Sequence, residues 1–322
     1  MWNNSMQPMS VSAILDRTFK TYRDKFMEIS LFALLIGGIM NLVISVLQPG
    51  AVSLNPFISI QNLFSNFAYG GWEYILYELQ SGSAIESEQA ILLTLLSLIF
   101  SFLGTIFVIP LITGGVVFIT LAVFHGNEEE RNTLFSRVSK IYTRLLLTGL
   151  AEIAIAILLF LAAAIVFIIA LFVVSALLPG GFIALLFFSL LLIPFLFAII
   201  LFSAFTMFIF PAAVGEDKAG FSAVGRAFEL FRRKIWKSVG MFLLCSLITL
   251  AIYFVFITIA GLIGIILPTL IITVILSAVQ GFVMPIPIIA FTFLYLDIRM
   301  TTEGYDLELR AAEALEADGS YE

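Results

Sequence analysis

Two stretches of this chain run without a single Asp, Glu, Lys or Arg: residues 153–215, between Glu152 and Glu216, and residues 238–296, between Lys237 and Asp297. A helical span needs about 20 apolar residues to cross a hydrocarbon core about 30 Å thick. Each stretch is therefore long enough for two crossings. Two shorter uncharged windows, 29–72 and 89–127, add room for more. The rest of the composition agrees. Of 322 residues, 61% are hydrophobic and 12% are charged, against about 25% charged in an ordinary soluble domain. Mean hydropathy is +1.12. So few charges cannot clothe that much apolar side chain in water. Disorder, fibrous repeats and a soluble enzyme are excluded, and a polytopic helical membrane protein remains.

Turn signals divide the long windows. Leu178-Pro179-Gly180-Gly181 interrupts the first, and Leu267-Pro268-Thr269 interrupts the second. Proline and glycine end helices, and both breaks fall where the chain must reverse. The expected fold is all-α, with six transmembrane helices near 29–47, 91–124, 146–178, 182–213, 238–266 and 269–296. All belong to one integral membrane domain over 1–322. The first run, Ile29 to Leu47, follows a basic segment and carries no small-residue cleavage site, so it is expected to stay as a span.

The basic residues fix a direction. Arg17, Lys20, Arg23 and Lys25 precede the first span. Arg131, Arg137, Lys140 and Arg144 precede the third, and Lys218, Arg226, Arg232, Arg233, Lys234 and Lys237 precede the fifth. Arg299 and Arg310 follow the sixth. Together they are all 16 Lys and Arg of the chain, and a six-span topology places every one on the same side. The opposite side holds only Glu73, Glu78, Glu86 and Glu88. Because Lys and Arg concentrate in cytoplasmic loops, both termini are expected in the cytoplasm, with the chain multi-pass in the cell membrane.

The three basic segments resemble one another. Arg17-Thr-Phe19-Lys-Thr-Tyr22-Arg23-Asp-Lys25-Phe26 aligns, on a shift of 209, with Arg226-Ala-Phe228-Glu-Leu-Phe231-Arg232-Arg-Lys234-Ile235. Arg137, Lys140 and Tyr142 form a weaker middle copy. At helical spacing Val11, Ile14, Leu15, Phe19, Tyr22 and Phe26 share a face, as do Phe221, Val224, Phe228, Phe231 and Ile235. Cations occupy the other face. Such helices lie in the headgroup layer and meet anionic lipid. The expected repeat is interfacial helix, span, turn, span, over about 10–124, 130–213 and 219–296, followed by an acidic tail over 297–322.

The run closing the sixth span is Tyr295-Leu296-Asp297-Ile298-Arg299, then Glu303-Gly304-Tyr305-Asp306-Leu307-Glu308. It resembles the end of the bacterial glycerophosphoryl diester phosphodiesterase membrane-domain family: aromatic-x-Asp-x-Arg, then Glu-Gly-aromatic-Asp-Leu-Glu. The opening Pro8-Met-Ser-Val-Ser-Ala-Ile-Leu15-Asp16-Arg17-Thr-Phe19-Lys-Thr-Tyr22-Arg23 is similar to that of related bacterial proteins. The resemblance implies the membrane region alone. The family's enzyme domain is a barrel of about 250 residues, and the short tail after the last span cannot hold it.

Chemistry-bearing residues are few. Glu152 is the one acidic residue within a span. Buried ionisable groups in membranes are usually functional, so it is a candidate proton or cation site, or a partner for Arg144. Alternatively it lies near enough to the interface to reach water. Asn41 and Gln280 sit mid-span and either line a polar path or bond between helices. Pro110, Pro194, Pro211, Pro285 and Pro287 mark broken or kinked even-numbered spans, and Gly37-Gly38 and Gly114-Gly115 permit close helix contact. Arg17, Arg23, Lys25, Arg137, Lys140, Arg226, Arg232, Arg233 and Lys234 are expected to face lipid or a partner. Tyr295, Asp297, Arg299, Glu303, Gly304 and Asp306, with Glu308, form a closing motif expected to clamp the tail to the basic helices. The aromatics between Phe57 and Tyr77 suggest an interface layer.

With one His, His125, and one Cys, Cys245, neither an internal disulfide nor a His/Cys metal site is expected. No nucleophile or phosphate-loop motif is visible. The function these features favour is a non-enzymatic scaffold or accessory subunit without cofactor or nucleic acid. It would act through anionic lipid headgroups or a membrane or cytoplasmic protein partner. The alternative is a small-solute or ion transporter using Glu152.

Overall fold

The computed structural model describes residues 9–40, 42–43, 88–126, 131–177, 181–263, 269–305 and 307. Asn41, the aromatic segment 57–77, the turns at Pro179 and Pro268, Asp306 and the tail from Glu308 onward lie outside the described residues. Among the described residues there are helices and no strands. Five helices are long and apolar enough to cross a membrane: Leu95–Phe124, Arg137–Ala170, Ile193–Gly215, Ile235–Ala260 and Val274–Glu303. That is the architecture of a membrane protein. The first expected span is only partly within the described residues.

The chain forms two compact units. Unit 1 comprises 1–24, 113–245 and 286–322, and unit 2 comprises 25–112 and 246–285. In chain order the helices are α1 (Val11–Asp24), α2 (Phe26–Ala33), α3 (Glu88–Leu103), α4 (Ile109–Phe124), α5 (Arg131–Leu177), α6 (Gly181–Thr206), α7 (Ile209–Gly215), α8 (Phe221–Arg233), α9 (Ile235–Ile263), α10 (Thr269–Val283) and α11 (Pro285–Glu303). Turns of π-helix follow α2 at Leu34–Gly38 and α3 at Gly104–Val108.

Three of the irregularities have a common cause. Proline has no N–H to give the carbonyl four residues back. For Pro110 that carbonyl belongs to Ile106, inside the π turn. For Pro211 it belongs to Met207, in the break between α6 and α7. For Pro287 it belongs to Val283, the last residue of α10. Pro194 alone lies inside an unbroken helix.

In unit 1 the core is the last span. From Ile286 to Ile298 nearly every side chain of α11 is buried, with Phe291, Leu294 and Tyr295 fully so. The α8 helix packs on α5, α6 and α7. Two glycines allow close approach. A Cβ on Gly114 would overlap the buried Leu145 side chain, and one on Gly215 would lie 2.6 Å from the Tyr295 hydroxyl. By contrast Ile157–Leu161 and Ile165–Ile169 of α5, equally apolar, are mostly uncovered by the chain itself. In unit 2, α10 packs on α2 and its π turn. There Gly281 would place a Cβ 3.4 Å from the Leu34 backbone, and Gly37 one 2.7 Å from Ile112.

The basic segments differ from expectation in two ways. First, α5 runs unbroken from Arg131 to Leu177, so the middle segment is no separate helix. Nothing in Leu145-Leu146-Leu147 interrupts it, and all three are good helix formers. The outer segments do break, at Lys25 between α1 and α2 and at Lys234 between α8 and α9. Second, the apolar faces are split. Ile14, Thr18 and Thr21 are buried on α1, and Ala223, Val224, Ala227, Leu230 and Phe231 on α8. Phe19, Phe26, Phe221 and Phe228 stay open. Small residues at Thr18, Ala223 and Ala227 let these helices seat closely, and that seat rotates the large phenylalanines outward.

Candidate functional site

The polar chemistry of unit 1 gathers at the end of α11, around Arg226. Gly220, at φ +59°, starts α8 and is tied to α5 by its N–H, which donates to Thr148 Oγ1 at 3.1 Å. This anchors the loop 216–220 and aims Arg226 back under the last span. The Arg226 Nε donates to both oxygens of Glu216 at 2.9 and 2.8 Å. Its Nη1 donates to Glu229 at 2.9 Å and its Nη2 to Glu303 at 2.5 Å. Arg233 reaches Glu303 at 3.1 Å, the Thr302 hydroxyl at 3.0 Å and Glu229 at 2.5 Å. Arg299 lies 3.6 Å from Glu216 and 3.4 Å from Glu303, and donates to the Tyr295 hydroxyl at 3.3 Å. That hydroxyl donates to Glu216 at 3.3 Å. Lys218 completes the ring, 3.0 Å from Glu216.

Charges respond accordingly. Burial pushes the Glu216 carboxyl upward. Hydrogen bonds from Arg226 and Lys218, with the charges of Arg226 and Arg299, outweigh it and leave the group below the usual carboxylate range. Glu229, held by Arg226 and Arg233, is also lowered. Burial works against the Arg226 cation, but bonds to Glu303, Glu216 and Glu229 raise its pKa further above the ordinary arginine value.

A second clip lies beside the first. Asp297 is 0% exposed. It accepts from the Met9 backbone N–H at 2.6 Å and pairs with Lys237 Nζ at 2.5 Å. Lys237 donates also to the Met9 carbonyl at 2.7 Å. The start of the described chain is thereby tied to α9 and α11. Arg144 pairs with Asp217, next to a cavity of about 70 Å³ lined by Phe118, Ile141, Leu145, Ala213 and Val214. Tyr305 bonds His125 Nε2 at 3.1 Å and lies under the Arg299 guanidinium, 4.0 Å from the ring centre.

The structure thus brings together Tyr295, Asp297, Arg299 and Glu303, and turns the chain after them at Gly304, φ +69°. It draws two cations expected outside into this network: Arg226, whose side chain is 12% exposed, and Arg233. Three carboxylates converge on them, so pairing outweighs solvation. In unit 2 Lys25 pairs with Glu28 at 3.6 Å. Arg23, Arg137, Lys140, Arg232 and Lys234 are exposed, and Arg17 is half-buried. Glu152 is half-buried on α5, and Gln280 is exposed on α10. Among the described residues no cluster of three or more His, Cys, Asp or Glu is placed to hold a metal.

Sequence reasoning missed Glu216, Asp217 and Lys237 as partners. A signal was present for two of them: Glu216 and Lys237 each border a long uncharged window, and a charge at such an edge has few neighbours to choose from.

A family model described as a domain of unknown function, DUF8558, matches residues 3–299. The chain belongs to the DUF8558 family. The DUF8558 match ends at Arg299, so it includes Glu216, Arg226, Lys237 and Asp297 and stops short of Glu303. No curated protein and no solved structure matches this DUF8558 chain.

Proposed function

We propose that the chain is a non-enzymatic, six-span protein of the cell membrane, with both termini cytoplasmic. It acts as a scaffold or accessory subunit through lipid headgroups and a protein partner. The three hairpins are tandem repeats, with interfacial helices before the first and third. The observation that carries this reading is the Arg226 network. Glu216, Glu303 and Asp297 are each held by a guanidinium or ammonium group. A catalytic carboxylate, by contrast, has to be free to take or give a proton. The cations left outside the network, Arg232 and Lys234 among them, form a surface suited to contact rather than turnover. The repeat is supported by the two helix breaks, which superpose on a shift of 209, Lys25 onto Lys234. The membrane region of glycerophosphoryl diester phosphodiesterases is the relative we propose for this architecture, without its enzyme activity.

The test is gentle purification of the tagged protein from native membranes. A stoichiometric protein companion supports the scaffold. Clean protein with only bulk lipid counts against it.

One observation favours transport as a second reading. Among the described residues none offers Glu152 a hydrogen bond or an ion pair. An unpaired carboxylate within a span is costly and marks proton and ion paths in many carriers. Reconstituted protein whose flux falls in Glu152→Gln, with unchanged folding, would favour transport over the scaffold.

A further inference from the structure

The outward faces of α1 and α8 match position by position under the shift of 209. Phe19 maps to Phe228, Arg23 to Arg232, and Met27 to Trp236. All six are exposed: Phe19 42% and Phe228 55%, Met27 63% and Trp236 77%, with the Arg23 side chain at 78% and Arg232 open as well. The spacing of four places Phe19 and Arg23 up one face of α1, and Phe228 and Arg232 up one face of α8. Trp236 stands just past the break at Lys234. The buried sets coincide too, Ile14 with Ala223, Thr18 with Ala227 and Thr21 with Leu230.

We infer that these two faces are matched docking surfaces for anionic phospholipid headgroups of the cytoplasmic leaflet, each pairing an arginine with a phenylalanine one turn before it. The inference rests on the membrane reading above and names the lipid chemistry of its basic helices. The phenylalanine enters the boundary between headgroups and acyl chains, while the cation one turn on reaches phosphate. The Arg232 face is the stronger of the two. No described residue pairs with Arg232, and Lys234 adds a second cation. Arg23 shares its charge with Asp24 at 3.3 Å. The repetition itself argues for lipid. A leaflet offers the same chemistry at two separate places, whereas a protein partner would have to present it twice.

Trp236 supplies the probe. In a Trp2→Phe, Trp72→Phe background, the chain is reconstituted into nanodiscs containing brominated phosphatidylglycerol or brominated phosphatidylcholine. Each cation near an anionic surface contributes about 1 kcal/mol, which corresponds to about fivefold enrichment of the anionic lipid. Quenching of Trp236 by brominated phosphatidylglycerol is therefore expected to exceed that by phosphatidylcholine at least twofold. The excess should vanish in Arg232→Gln/Lys234→Gln and shrink at 1 M salt, where screening is strong. Phe19→Trp in a background also lacking Trp236 should show a smaller excess. Equal quenching by both lipids overturns the inference, and so does absence of quenching, which would mean that protein covers the face. Failure of the chain to enter bilayers at all would instead overturn the membrane reading. If the tryptophan background does not fold, native mass spectrometry of the unaltered chain reads the same preference. Retained phosphatidylglycerol should exceed phosphatidylcholine and fall in the Arg232→Gln/Lys234→Gln variant, and equal retention overturns the inference.

Discussion

Arg226 holds Glu303 at 2.5 Å, joining the middle of the short α8 helix to the final turn of α11. The same guanidinium grips Glu216 with bonds to both oxygens, so one side chain connects three segments.

Replacing Arg226 by Gln should therefore leave Glu216, Glu303 and Glu229 facing one another without their common cation. Loss of charge-assisted bonds at a mostly buried site costs roughly 3 kcal/mol. Thermal unfolding in detergent should show a clear fall in midpoint. Arg226→Lys should recover only part of it, because a point charge cannot reproduce the planar fork. Equal stability of wild type and Arg226→Gln would show that the network is peripheral.

Glu216 and Glu229 both have carboxyl pKa values lowered in the fold. Their contribution is complete above the unfolded carboxylate value of about 4.3. It is lost as pH falls through the lower folded values. The unfolding midpoint should be level from pH 7 to about 5 and drop below about 4. In Arg226→Gln that acid drop should flatten, which a pH series of melts would reveal.

Asp297 is buried with one ammonium and one amide as partners. Asp297→Ala strands Lys237 and frees the Met9 N–H, at a cost of about 3 kcal/mol or more. Hydrogen exchange at the Met9 amide should speed up sharply. Unchanged protection there would mean that the clip does not hold the N-terminal segment.

Two glycines should respond in opposite directions. Gly215→Ala drives a methyl to within 2.6 Å of the Tyr295 hydroxyl, and Tyr295 is fully buried. Overpacking of this kind costs about 1–3 kcal/mol. A Cβ added at Gly225 would meet nothing within 4 Å. Because this position is helical and exposed, Gly225→Ala should stabilise by about 0.5–1 kcal/mol. Paired melts of the two variants decide both.

Much of the fold was legible because the bilayer restricts the options. Uncharged length, proline position and the placement of Lys and Arg are properties of the sequence itself, and Pro110, Pro211 and Pro287 fall where the helices change course. Asp297, Arg299 and Glu303 stood out as charges closing an apolar span. Which cations would meet them did not, because the sequence of α8 does not say which of its sides packs beside the last span. In the structure Ala223 and Ala227 seat α8 closely and turn Arg226 inward. Nor could composition distinguish the buried residues 286–298 from the uncovered residues 157–169, since both are apolar on every side. Burial there depends on what packs alongside, which no local pattern encodes.

The unbroken α5 helix, from Arg131 to Leu177, is about 70 Å long at 1.5 Å per residue, more than twice the thickness of a hydrocarbon core. It has no joint where α1 and α8 meet their following helices. A torque applied to the basic end of α5 therefore meets no break before Leu177, and the shaft tilts as a single lever.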